Sequence, residues 1–135
     1  MTIPKFNADY VPEGYIVVPG GEFEGLLARP EFLALDDGKR CSICNGIGAS
    51  TGLSSHFPNT VYGLNIKKAG DIHDYDYYIG GSDDDKAVAD AVLLHNARVL
   101  IRRGAWILRF LRNDRVAKYY IAVRLCGKPH FNFTK

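Results

Sequence analysis

Long apolar runs are missing from this sequence. The longest, Tyr119-Tyr120-Ile121-Ala122-Val123, falls far short of the roughly 20 residues a membrane-spanning helix needs. No transmembrane segment is therefore expected. Cysteine is scarce: three in 135 residues, an odd count that excludes a disulfide-dense scaffold. Proline is rare behind residue 60, where only Pro129 occurs, so long helices are permitted there. The first ten residues, MTIPKFNADY, carry Lys5 and Asp9 and have no apolar centre. They do not read as a signal peptide. Reduced thiols in a cytoplasmic setting follow as the expectation.

What is present suits one globular domain over 1–135. Hydrophobic residues make up 47% and charged residues 24%, enough to build a core without staples. Charge is unevenly placed. Residues 1–96 hold seven bases against fourteen acids, whereas residues 97–135 hold ten bases against one. Such a basic C-terminal third suits an anionic partner, phospholipid head groups above all. The other reading is that the two parts neutralise one another. The spread of the arginines along helices, rather than in one block, favours that reading; the interleaving of Arg102, Arg103, Arg109 and Arg112 with Trp106, Phe110, Tyr119 and Tyr120 keeps a membrane surface or, less favoured, nucleic acid open as a partner.

The expected fold class is α+β. Residues 1–60 form a front of short strands and hairpins, and residues 61–135 form a helical back, a three-helix bundle. In the front, Tyr15-Ile16-Val17-Val18 and Leu33-Ala34-Leu35 lie between turn signals. Asp36-Asp37-Gly38 suits a hairpin turn, since Asp-Gly tolerates positive φ. Residues 45–60 (NGIGASTGLSSHFPNT) read as a long loop. A first helix is expected over about 64–79, stopped by Gly80-Gly81. Ser82, followed by Asp83, Asp84 and Asp85, starts a second helix running to Arg103, with Ser82 as cap and Asp85 completing a loose capping box. Its apolar residues cover most of its circumference, the mark of a central, buried helix. A third helical region spans Ala105–Leu125, with a break anticipated at Asn113-Asp114.

The chemistry-bearing stretch is Gly70-Asp71-Ile72-His73-Asp74-Tyr75-Asp76-Tyr77-Tyr78. On a helix His73 and Tyr77 share a face, while Asp74 diverges from His73 by about 100° and serves a different partner. An imidazole is suited to take a proton from water, and a neighbouring carboxylate to hold a hard cation such as Ca2+. Asp90 interrupts the apolar run Ala87-Val88-Ala89-Asp90-Ala91-Val92, and a buried carboxylate needs a partner. Across a Gly80-Gly81 hairpin, His73 and Asp90 lie at similar distances from the bend. Asp90 is thus the candidate that fixes the tautomer of His73. Backbone oxygens at Asn45, Gly46 and Gly48 are candidates to complete a cation site.

The string His73-Asp74-x-x-Tyr77, a Gly-rich loop before it and an Asp in the next helix resemble the phospholipase A2 superfamily. The resemblance covers roughly residues 44–95. It implies His73 as the base activating water, Asp90 as its orienting partner and Tyr77 as a support of that network. It also implies Asp74 as a calcium ligand, together with carbonyls at Asn45, Gly46 and Gly48. Asp76 stands where that family has a half-cystine. A second resemblance, to a group of phage and prophage proteins of unknown function, runs to the C-terminus. It rests on Gly48-Ala49-Ser50, His73-Asp74-Tyr75-Asp76-Tyr77, Ala89-Asp90 and Tyr120-Ile121-Ala122-Val123-Arg124-Leu125-Cys126-Gly127. It implies a viral ancestry, and with it a place in the host cytoplasm or on the virion, with phospholipid or virion components as partners.

Two functions stay open on the sequence. One is an ester or lipid hydrolase working through a His73-activated water. The other is a non-catalytic phage accessory or structural protein that keeps the helix pair as scaffold, with His73, Asp74 and Asp90 as satisfied core residues. Cys41-x-x-Cys44 is one pair, short of a zinc site unless His56 and His73 join it, and without the βαβ setting of a redox motif. Cys44 with His73 is a minor nucleophile option. Cys126 reads as a buried apolar residue, and Trp106, Phe110, Tyr119 and Tyr120 read as core or interface.

Overall fold

A computed structural model describes residues 11–43 and 59–133. The described residues form a small mixed α+β fold, mostly helical, with two separate two-stranded antiparallel sheets. In the front, β1 (Ile16–Val17) pairs with β2 (Leu27–Ala28), followed by the short α1 (Pro30–Leu33). Residues 37–43 are helical (α2). Next come β3 (Thr60–Val61), β4 (Leu64–Asn65), α3 (Lys67–Ile79) and α4 (Asp83–Arg103). A 3-10 turn over Trp106–Leu108 leads into α5 (Arg109–Cys126), and a second over Lys128–His130 follows it.

Several elements depart from the expectation. Asp36-Asp37-Gly38 starts a helix rather than a hairpin. The Asp36 carboxylate accepts from the Lys39 amide at 2.7 Å, capping α2, and Gly38 has no need of positive φ. Leu33 ends α1 instead of opening a strand. The first long helix begins at Lys67, not at residue 64, because Leu64-Asn65 pair with Thr60-Val61. Tyr62 and Gly63 both take positive φ (46° and 79°), which closes a two-residue hairpin with the twist that antiparallel strands favour. A tyrosine in that position masked the turn signal. The break anticipated at Asn113-Asp114 is absent: α5 runs through it.

α4 is the central element. Its N-terminus carries the capping box in full: Ser82 Oγ accepts from the Asp85 amide, and the Asp85 carboxylate accepts from the Ser82 amide at 2.9 Å. It packs against both α3 and α5. Ala89, Leu93, Leu94, Ala97 and Ile101 join Ile66, Tyr77, Val116, Tyr120, Val123 and Phe131 in one core. On its other side Ala91 and Val92 meet Leu27, Phe32, Ile72 and Tyr75 in a second. Asn96, fully buried on α4, bonds both the amide and the carbonyl of Leu27 at 2.8 and 2.9 Å, and so ties the front hairpin to the helix. Arg112 does the same for the second hairpin, donating to the carbonyls of Val61 and Tyr62.

The C-terminal segment closes the end of α3. Asn132 accepts from the Gly81 amide at 2.9 Å and donates from its own amide to the Tyr77 carbonyl at 3.2 Å. Gly80 takes φ 75°, and a Cβ there would run into the Asn132 carbonyl oxygen. Gly80→Ala is therefore expected to lower stability by more than about 1 kcal/mol, read as a lower urea midpoint with an unchanged slope.

Candidate functional site

α3 and α4 leave the double-glycine bend as neighbours, and the bend brings His73, Tyr77 and Asp90 together. His73 Nε2 lies 2.9 Å from Asp90 Oδ1. The Tyr77 hydroxyl donates to the same oxygen at 2.6 Å. A carboxylate only accepts, so Nε2 carries the hydrogen and, in the neutral ring, Nδ1 keeps the lone pair. The His73 and Tyr77 rings lie 4.1 Å apart, as i and i+4 side chains on one helix face do.

Two cations that the sequence reading passed over complete the cluster. Lys86 Nζ donates to Asp90 Oδ2 at 2.8 Å and to the Val123 carbonyl at 3.3 Å. Arg124, from α5, donates to the same Oδ2 at 3.0 Å. Lys86 had a local signal, four residues before Asp90 on the same helix. Arg124 had none in the spacing, because its partner lies 34 residues away. Asp90 is wholly buried, and His73 is 2% exposed. Burial alone would raise the Asp90 pKa. The bonds from His73, Lys86 and Tyr77 outweigh it and hold the carboxyl down at about 2. The Tyr77 hydroxyl is pushed up by burial and by the Asp90 charge, so it stays a donor.

The remaining acids of α3 behave differently. Asp74 sits half-buried on another face, and burial together with nearby Asp71 raises its pKa to about 8 against the opposing pull of Lys67. Asp76, at the half-cystine position of the resembled motif, is buried against the front. It accepts from the Tyr15 hydroxyl at 2.8 Å, while Arg29 Nε stands 3.5 Å from its other oxygen without bonding it. Burial lifts it to about 7 despite both partners. Nothing in the spacing foretold that joint.

Asn45, Gly46 and Gly48 lie outside the described residues, as do Cys44 and His56. Of the expected calcium ligands only Asp74 is among the described residues. Among the described residues no three His, Cys, Asp or Glu side chains gather as a metal would need. Cys126 is exposed at the end of α5, not buried. Of the residues expected in the core or at an interface, Tyr120 is in the core, whereas Trp106 and Phe110 are exposed. No described helix is long and apolar enough to cross a membrane.

Comparison of the chain with protein-family models, with curated proteins and with solved structures found no match.

Because Lys86 is buried, removing its counter-charge is costly. Asp90→Asn is expected to destabilise by about 3–5 kcal/mol in chemical denaturation. The native protein should lose stability as pH falls from about 4 towards 2. The depressed Asp90 pKa contributes fully above the unfolded carboxyl value near 3.8 and fades as pH drops through about 2. An acid melt of Asp90→Asn should lack that component.

Proposed function

We propose that this protein is an ester hydrolase of phospholipase A2-like type, in which His73 is the general base. The observation that carries the reading is the bond from His73 Nε2 to Asp90, with the Tyr77 hydroxyl on the same carboxylate oxygen. That pairing fixes the ring so that Nδ1 is the basic nitrogen, and it stabilises the imidazolium formed when a proton is taken. In the proposed reaction Nδ1 removes a proton from water while the water oxygen attacks the ester carbonyl. The tetrahedral intermediate collapses, the C–O bond to the alcohol breaks, and the proton passes from His73 to the departing alkoxide. The products are a carboxylic acid and an alcohol.

Calcium belongs to the same proposal as an auxiliary. When bound at Asp74, it would polarise the ester carbonyl. The raised pKa of Asp74 gives this part its own test, because a cation favours the ionised form. Calcium should lower the Asp74 pKa from about 8, followed by carboxyl-carbon NMR, and Asp74→Asn should abolish calcium-dependent proton release at pH 7. A pKa that stays near 8 at millimolar calcium would remove the metal from the reading.

The finer architectural reading, a three-helix bundle of α3, α4 and α5 with a phospholipase A2-like helix pair, is part of this proposal. So are a phage or prophage ancestry and a place in the host cytoplasm or on the virion. A second reading has its own support. His73 is almost wholly enclosed, and Asp90 is saturated by four donors. A non-catalytic phage accessory protein would use the same cluster purely as a clamp between helices.

The two readings divide on His73→Gln, which keeps an N–H donor but no base. A hydrolase should lose about 10²- to 10⁴-fold in turnover of a phospholipid or small ester while its thermal melt stays near that of the native protein. Equal turnover by the variant, or none by the native protein with or without calcium, would retire the enzyme.

A further inference from the structure

The corner between α4 and α5 exposes side chains that a globular protein usually hides. Trp106 is 76% exposed, Ile107 70% and Phe110 81%, and Leu111 beside them is exposed too. Scattered apolar side chains on a surface need no explanation. These four are contiguous. Trp106 and Ile107 lie in the 3-10 turn and Phe110 and Leu111 in the first turn of α5 that continues it, all within six residues. Such high exposures describe a projecting ridge, not a groove waiting for a helix or a strand.

The surroundings of the ridge are cationic. From residue 91 to residue 113 the chain contains five arginines and no acid. Arg112 is turned inward onto the second hairpin. Arg102 and Arg103 lie exposed at the end of α4, and Arg109 lies at the start of α5. Arg103 donates to the carbonyl of Glu24, and Arg109 to the carbonyl of Arg102. Backbone carbonyls fix the position of these guanidinium groups, and among the described residues no carboxylate forms an ion pair with either.

We propose that this ridge is a docking surface for an anionic phospholipid membrane, with Trp106, Ile107 and Phe110 entering the head-group region and Arg102, Arg103 and Arg109 meeting lipid phosphates. Aromatic and aliphatic side chains over a rim of basic ones is the pattern of interfacial binding, where apolar burial and attraction to anionic lipid act together. Charge complementarity selects this occupant over a neutral apolar partner. The proposal goes beyond the hydrolase reading and does not need it: a scaffold protein would bind the same surface.

Trp106 is the only tryptophan in the chain, so its fluorescence reports on the ridge alone. The test mixes the 135-residue chain with vesicles of phosphatidylcholine, with and without phosphatidylglycerol. With the anionic vesicles the emission should shift to the blue and the protein should co-sediment. The affinity should fall as salt is raised. Phe110→Ser with Ile107→Ser should weaken co-sedimentation at least tenfold while leaving the far-ultraviolet spectrum unchanged, since both side chains are exposed. His73→Gln should bind as tightly as the native protein, which separates a failure of docking from a failure of catalysis. No blue shift and no co-sedimentation with anionic vesicles would overturn the proposal. So would equal binding by the double variant, or a self-associated protein in which Trp106 is already shielded without lipid.

Discussion

One carboxylate holds the helical part of this molecule together. Asp90 sits in the middle of α4 with no access to water, where an unpaired charge would cost several kcal/mol. Its two oxygens take four donors from three helices: His73 and Tyr77 on α3, Lys86 on its own helix, and Arg124 on α5. Apolar contacts would allow these helices to slide against one another with modest loss. Bonds of 2.6 to 3.0 Å to a single buried group do not. The register of α3 and α5 on α4 is thereby tied to Asp90.

α3 carries a second buried carboxylate, and the contrast between the two shows what full satisfaction does. Asp76 faces the front of the molecule with one hydrogen bond, from Tyr15, and a 3.5 Å ion pair with Arg29. Its pKa rises to about 7, whereas that of Asp90 falls to about 2. Both groups are taken out of water. The difference lies in the donors: four charge-assisted or short bonds overcome desolvation, and one hydrogen bond with a longer ion pair does not. The back of the molecule is thus held by an ionised carboxylate over most of the pH range, and the joint to the front by a group that titrates near neutrality. The same arrangement that clamps the helices also fixes the tautomer of His73, so structural and chemical roles share one set of atoms.

The parts of the site that could be read from the sequence were local or symmetric about a bend. His73 and Tyr77 share a face by helical spacing, and Gly80-Gly81 followed by Ser82 and three acids announces a hairpin of helices. Asp90 stands out as an acid in an apolar run, so its approach to His73 follows from counting residues on either side of the bend. Lys86 was in view as an i,i+4 neighbour, but lysine on a helix is ordinarily solvated, and only the packing of α5 over it buries it. Arg124 and the Tyr15–Asp76–Arg29 joint were beyond reach because their partners are far away along the chain. The front was harder to read because turn chemistry is ambiguous. Asp36-Asp37-Gly38 serves a hairpin or a helix cap equally well, and Tyr62-Gly63 makes a hairpin with a residue that rarely tolerates positive φ.

The sequence by itself determined the three long helices of the back, the cap that starts α4, the double-glycine break between α3 and α4, and the pairing of His73 with Asp90, since each depends on neighbours within a turn or across one short bend. The tertiary structure alone decided which charges are buried and which side chains are left outside. Trp106 and Phe110 have the spacing of core residues and yet project from the surface, while Lys86 has the character of a surface residue and yet is sealed inside. Hydrophobic spacing specifies a face; only the arrival of another element covers it, and at the α4–α5 corner none of the described elements does.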